Sequence, residues 1–204
     1  MGDITFYFDF GSPNAYMSHK VLPGIGQRTG ATITYVPILL GGLFKMTGNR
    51  SPVEAFGNIK NKLQYEQLET RRFLTRHGLT DFRMNPHFPV NTLQIMRGAV
   101  AAQVLDVADA YIDTVYKDMW ERERKMDEPE VIRSALNEAG IDAEEIIRLS
   151  QTDDIKTRLL ANTQEAFEAG AFGSPSFLVG GELFFGKDRL RDVEEEYRRQ
   201  AGGH

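Results

Sequence analysis

The sequence predicts an α/β domain interrupted by an all-helical insertion, and three observations carry that prediction. Residues Ile4 to Phe10 alternate with a period of two. The block from about Ser51 to Gly170 shows helical periods with charged faces and few strand signals. Strand patterns then return between Ser176 and Phe185. Strands at the two ends of the chain must pair with each other, so residues 1–42 and 171–204 are expected to form one discontinuous domain around a helical insertion of residues 43–170.

The first strand sets Ile4, Phe6, Phe8 and Phe10 against Thr5, Tyr7 and Asp9, two faces of different chemistry. Gly11-Ser12-Pro13-Asn14 follows, with Ser12 suited to cap a helix and Pro13 to its first position. Pro23 and Gly24 are expected to interrupt or end that helix. Ala31 to Leu40, rich in β-branched and apolar residues, reads as a second strand parallel to the first. Within the helical block, Asn91 with Gln94, Asp127 before Pro129, and Asp142 with Glu145 are start signals. At the end, Gly180-Gly181-Glu182 joins a hairpin, and Asp188 to Gln200 makes an amphipathic helix with Leu190, Val193 and Tyr197 on one side.

Composition excludes several functions. A chain of 204 residues with 41% apolar and 26% charged residues has the profile of an ordinary globular protein. Its longest strongly apolar stretch, Val36 to Leu43, is far short of the ~20 residues that span a bilayer. The chain enters a strand pattern directly after Met1-Gly2-Asp3, which leaves no room for a secretory leader, so a cytoplasmic location is expected. Phe6 stands where a myristoylation signal needs Ser or Thr. A net charge of −5 argues against a nucleic-acid partner. The four histidines, at 19, 77, 87 and 204, lack metal-ligand spacing, so no metal site is expected. The absence of cysteine excludes disulfides, thiolate metal sites and dithiol redox chemistry by the protein itself.

Five segments stand out: Phe8-Asp9-Phe10-Gly11-Ser12-Pro13, Gly48-Asn49, Lys62-Leu63-Gln64-Tyr65, Gly170 to Pro175, and Phe185-Gly186-Lys187-Asp188-Arg189-Leu190. In this order, and across essentially the whole chain, they resemble the family of 2-hydroxychromene-2-carboxylate isomerases and kappa-class glutathione transferases, which has a DsbA-like thioredoxin fold. The resemblance places Ser12 where redox relatives carry a nucleophilic cysteine, and Pro175 at the cis-proline that faces it. With no cysteine in the chain, the thiol must come from a substrate, and glutathione is the cofactor the resemblance implies.

A free thiol has a pKa of about 8.5, so an enzyme that uses one must favour its anion. On the resemblance Ser12 does this as a hydrogen-bond donor to the sulfur, aided by backbone N–H groups at the helix start; on its own residues alone Ser12 reads first as a helix cap. The same resemblance implies that Ser174 and Pro175 pair strand-like with the cysteinyl part of glutathione. It also matches Asn49 and Lys62 to polar contacts with the tripeptide, Lys62 being preferred over Lys60 because Tyr65 follows it by three. Asp188 has two jobs open to it, capping the last helix or holding the glutamyl amino group. Lys187 belongs to the same turn, with solvent as the other destination for its side chain.

The expected activity is glutathione-dependent isomerisation of an unsaturated aromatic keto acid, 2-hydroxychromene-2-carboxylate to its trans-o-hydroxybenzylidenepyruvate isomer, through reversible thiolate addition. The alternatives are glutathione transfer or peroxide reduction at the same site and, in another class, a non-catalytic thioredoxin-like module that binds peptides. Gly11 and Asn14 depart from the larger apolar and aromatic residues frequent at these positions in the family, which bears on the aromatic substrate rather than on glutathione. A homodimer is expected from the resemblance.

Overall fold

The computed structural model describes residues 3–202, so the Met1-Gly2 start and His204 lie outside the described residues. Four strands, β1 (Ile4–Phe8), β2 (Ile33–Pro37), β3 (Ser176–Val179) and β4 (Glu182–Phe185), lie in the order β2-β1-β3-β4. β1 pairs in parallel with β2, Ile4 opposite Ile33, and antiparallel with β3, Ile4 opposite Val179. The two ends of the chain therefore share one sheet, as the strand count requires. The β3–β4 hairpin turns on Gly180 and Gly181, at φ 54° and 93°, where glycine carries no steric cost.

α1 (Pro13–Thr29) begins where Ser12 Oγ accepts from the Ala15 N–H at 3.1 Å, and it closes on the left-handed Gly30. It does not stop at Pro23. The helix runs through because Pro23 lies on the exposed face, while Met17, Leu22 and Ile25 bury the opposite one, and that burial outweighs the lost hydrogen bond. β2 is shorter than the apolar run around it. Beyond Pro37, Leu39 N–H turns to Thr163 Oγ1 and Leu40 N–H to Asp9 Oδ2, so tertiary acceptors replace the ladder and Leu40 opens a helix instead.

The helical block comprises α2 (Leu40–Thr47), α3 (Pro52–Phe56), α4 (Lys62–His77), α5 (Leu93–Val104), α6 (Ala108–Trp120), α7 (Pro129–Glu138), α8 (Ala143–Ser150) and α9 (Asp153–Glu168). Asp142 caps α8 through the Glu145 N–H at 3.0 Å, as its spacing predicts. Asn91 accepts from the Leu93 N–H two residues before α5 begins, and Thr92 holds the cap position. A short 3₁₀ turn, Lys187–Arg189, leads into α10 (Leu190–Gly202).

Both faces of the sheet are covered. On one, Phe6, Phe8, Phe10 and Phe177 join Val193 and Tyr197 of α10 and the buried faces of α1, α5 and α6. On the other, Tyr7 and Ile38 pack with Leu43 of α2 and Ala166 of α9. Phe10 meets Tyr116 of α6 edge-on at 4.8 Å, and the fully buried Trp120 donates its indole N–H to the Phe10 carbonyl at 2.8 Å. That bond ties the helical block to the end of β1. Trp120→Phe is expected to cost about 2 to 3 kcal/mol, since it leaves a buried carbonyl unpaired and a void beside it. Urea denaturation followed by circular dichroism measures this, because Trp120 is the one tryptophan in the sequence.

Candidate functional site

The turn from β1 into α1 must redirect the chain within four residues, and hydrogen bonds from both sides fix it. Ser12 N–H donates to the Asp9 carbonyl at 3.0 Å, and Gly11 N–H to Asp9 Oδ1 at 2.8 Å. The Ser12 hydroxyl, nearly buried, accepts from Ala15 N–H and donates to the Ser174 carbonyl at 2.8 Å. The one hydroxyl thus caps α1 and ties it to the loop before β3.

Opposite Ser12 lies the loop before β3, where the Ser174–Pro175 peptide is cis. Ser174 Oγ accepts from the Asp9 N–H at 3.1 Å, and the Pro175 carbonyl from Gly186 N–H at 3.0 Å. Gly173 packs so tightly here that a Cβ would sit 2.7 Å from the Phe185 ring. Ser12, Ser174 and Pro175, read as one site from distant parts of the sequence, are brought together.

Asn49 joins the same loop from the end of α2, donating Nδ2–H to the Phe172 carbonyl at 2.8 Å. Lys62 opens α4; its ammonium pairs with Glu66 at 2.8 Å and lies 5.2 Å from the Phe56 ring. Lys60 is exposed in the turn before it.

Two readings of the last turn are corrected. Lys187 does not point into water: it is 5% exposed, with its ammonium 5.1 Å from the Phe73 ring of α4 and bonded to both Asp188 oxygens at 2.8 and 2.9 Å. Asp188 does not cap the last helix, because both its carboxylate oxygens are engaged by Lys187 and it sits inside the 3₁₀ turn that precedes α10. The aliphatic stem of Lys187 fills space against α4 while its charge reaches the more exposed carboxylate.

Beside the turn opens a cleft of about 390 Å³. Leu39, Leu40 and Phe44 form one wall, Phe88, Val90 and Leu93 the other, with Asp9 and Gly11 also lining it. Asp9 is 1% exposed, and burial pushes its carboxyl pKa up against the lowering pull of the Leu40 and Gly11 N–H groups and the Thr92 hydroxyl. Sequence reading attached no role to Asp9. Its position in the strand alternation assigns it to the more polar face, and the signal available was that this face continues into a strand-to-helix turn. Among the described residues no cluster of three potential metal ligands occurs, and no helix is long and apolar enough to cross a membrane.

Comparison with known proteins gives a consistent set of relatives. The model of the DSBA-like thioredoxin domain matches residues 3–198. The chain is 25% identical to 2-hydroxychromene-2-carboxylate isomerase of Sphingobium xenophagum, covering 95% of this chain and 96% of that one. It is also 25% identical to glutathione S-transferase kappa 1 of Homo sapiens, covering 92% and 87% of the two chains. The solved structure of a 2-hydroxychromene-2-carboxylate isomerase superposes with a TM-score of 0.83 at 25% identity, covering 98% of each chain.

The Lys187 arrangement has a measurable consequence for the fold. Lys187→Met, which keeps the stem against Phe73 and removes the buried charge, is expected to hold stability within about 1 kcal/mol of the parent in chemical denaturation. Lys187→Ala is expected to lose about 2 kcal/mol through the void.

Proposed function

Because the chain belongs to the DSBA-like thioredoxin domain family, and its relatives are isomerases and glutathione transferases, we propose that it is an enzyme that uses the thiol of glutathione at Ser12 to isomerise an unsaturated aromatic keto acid of the 2-hydroxychromene-2-carboxylate type. One observation carries this reading. A serine hydroxyl, in a chain without cysteine, caps α1 directly opposite the cis-Pro175 loop and beside an apolar cleft.

The residues present suit a thiol-bearing zwitterionic tripeptide. The Ser12 hydroxyl bonds the Ser174 carbonyl; a ligand laid strand-like along that loop would offer an N–H to that carbonyl and free the hydroxyl as a donor for a thiolate. The start of α1 adds partial positive charge at the same point. Lys187, itself buried, holds the exposed Asp188 carboxylate in place for the ligand's ammonium, and Asn49 holds the loop that the ligand lies along. Glutathione, when bound, would supply a thiolate nucleophile for reversible addition to an activated double bond. The protein's part is to orient this thiol against the cleft and hold its negative charge.

Transfer of glutathione onto electrophiles is the second reading, supported by the transferase names among the relatives. It uses the same site and differs in whether the adduct is released. A homodimer belongs to the same proposal and is tested by light scattering of the purified protein.

Calorimetric titration with reduced glutathione is the direct test. Saturable binding of one molecule per chain is expected; no heat at millimolar ligand sinks the proposal and favours a peptide-binding module. Ser12→Ala is expected to lower turnover about tenfold to hundredfold while glutathione affinity stays within a few fold, as for loss of one donor to a developing or held anion. Unchanged turnover would remove Ser12 from the chemistry.

A further inference from the structure

Asp9 is engaged at every polar group it has. Its N–H donates to Ser174 Oγ and its carbonyl accepts from Ser12 N–H, which joins it to the thiol side of the site. Its carboxylate faces the other way. Oδ1 accepts from Gly11 N–H at 2.8 Å, Oδ2 accepts from Leu40 N–H at 2.9 Å, and the Thr92 side chain lies beside the same group. Leu40 is the first residue of α2 and Thr92 immediately precedes α5, so one carboxylate bonds one wall of the cleft and the turn, and touches the other wall at Thr92.

Gly11 makes this contact possible. A Cβ there would lie 3.0 Å from Thr92 Cγ2 and 3.3 Å from Asp9 Oδ1, so any side chain would press into the meeting point of the two. The cleft reaches down to the carboxylate because residue 11 has no side chain. The start of α2 also has no capping side chain, since Leu39 occupies that position; the Asp9 carboxylate, 31 residues away in sequence, satisfies the Leu40 N–H instead.

Resting on the glutathione reading above, we infer that Asp9 is a positioning residue: it holds the α2 wall and Thr92 against the Ser12 turn, and so sets the affinity of the cleft for the second substrate without contacting glutathione. The class of group it shapes the cleft for is the flat aromatic part of an electrophile, seated between the Leu40 and Phe88 sides with the reacting carbon toward Ser12.

Two ligands separate this role from a general one: glutathione, which samples the thiol side alone, and S-dinitrophenylglutathione, which adds a flat aromatic group in the cleft. Asp9→Asn keeps one oxygen for Gly11 N–H but sets an amide NH₂ against Leu40 N–H. Calorimetry is expected to show S-dinitrophenylglutathione weakened about tenfold or more in this variant, and glutathione changed by less than about threefold. A second pair of variants isolates the single hydrogen bond. Leu40→Pro and Leu40→Ala lose the same side chain, but only the proline loses the N–H, and both the first helical position and the extended Leu39 before it tolerate proline. Leu40→Pro is expected to weaken S-dinitrophenylglutathione several fold more than Leu40→Ala. The doubly substituted D9N/L40P protein is expected to be no worse than L40P alone, because the donor facing the amide is gone. Equal weakening of both ligands by D9N, or indistinguishable L40P and L40A proteins, overturns the inference; if D9N does not fold, the Leu40 pair still decides it. A parent protein that binds neither ligand overturns the glutathione reading itself, a different and recognisable result.

Discussion

The structure depends on what happens at the C-terminal end of β1. This strand is central in the sheet and covered on both faces, so its polar groups have protein rather than water as partners, and the chain must then leave the sheet within a few residues. The exit is made by pairing each group in turn. Phe8 C=O takes Ile38 N–H, Asp9 N–H takes Ser174 Oγ, Asp9 C=O takes Ser12 N–H, and Phe10 C=O takes the Trp120 indole. Each partner comes from a different part of the chain: the end of β2, the cis-proline loop, the turn itself and α6. Satisfying one strand end therefore assembles the site.

The same requirement explains why the helical block and the sheet meet where they do. α6 brings Trp120 and Tyr116 to Phe10, and the segment from Phe88 to Thr92 is carried alongside, so the cleft forms at the seam between them. The turn from β2 into α2 forms the opposite wall, fixed by Thr163 from α9 and by the Asp9 carboxylate. A thiol held at Ser12 would face a cleft whose two walls are set by contacts to the strand that positions the serine. Proximity of the two reactants is in this sense a property of how β1 ends.

Legibility in the sequence followed the range of the interaction. The order of strands and helices, the Ser12 and Asp142 caps and the glycine hairpin rest on contacts within a few residues, and all were readable. The family resemblance also marked Ser174 and Pro175 as partners of Ser12. Pro23 misled because helix-breaking is a local rule, whereas the burial of Leu22 and Ile25 that overrides it is tertiary. Leu39 and Leu40 read as strand because nothing local shows that Thr163 and Asp9 will take their N–H groups.

By itself, the sequence determined the α/β order of elements, the serine at the start of α1 and the absence of any thiol, because these are matters of composition and of short-range geometry. Tertiary structure alone decided that the Ser12 hydroxyl bonds a carbonyl 162 residues away, that Lys187 is buried under Phe73 rather than solvated, and that Asp9 becomes a buried hub instead of a surface acid. The physical reason is common to all three. A polar side chain's role depends on whether water or protein satisfies it, and that is settled only when distant segments pack around it.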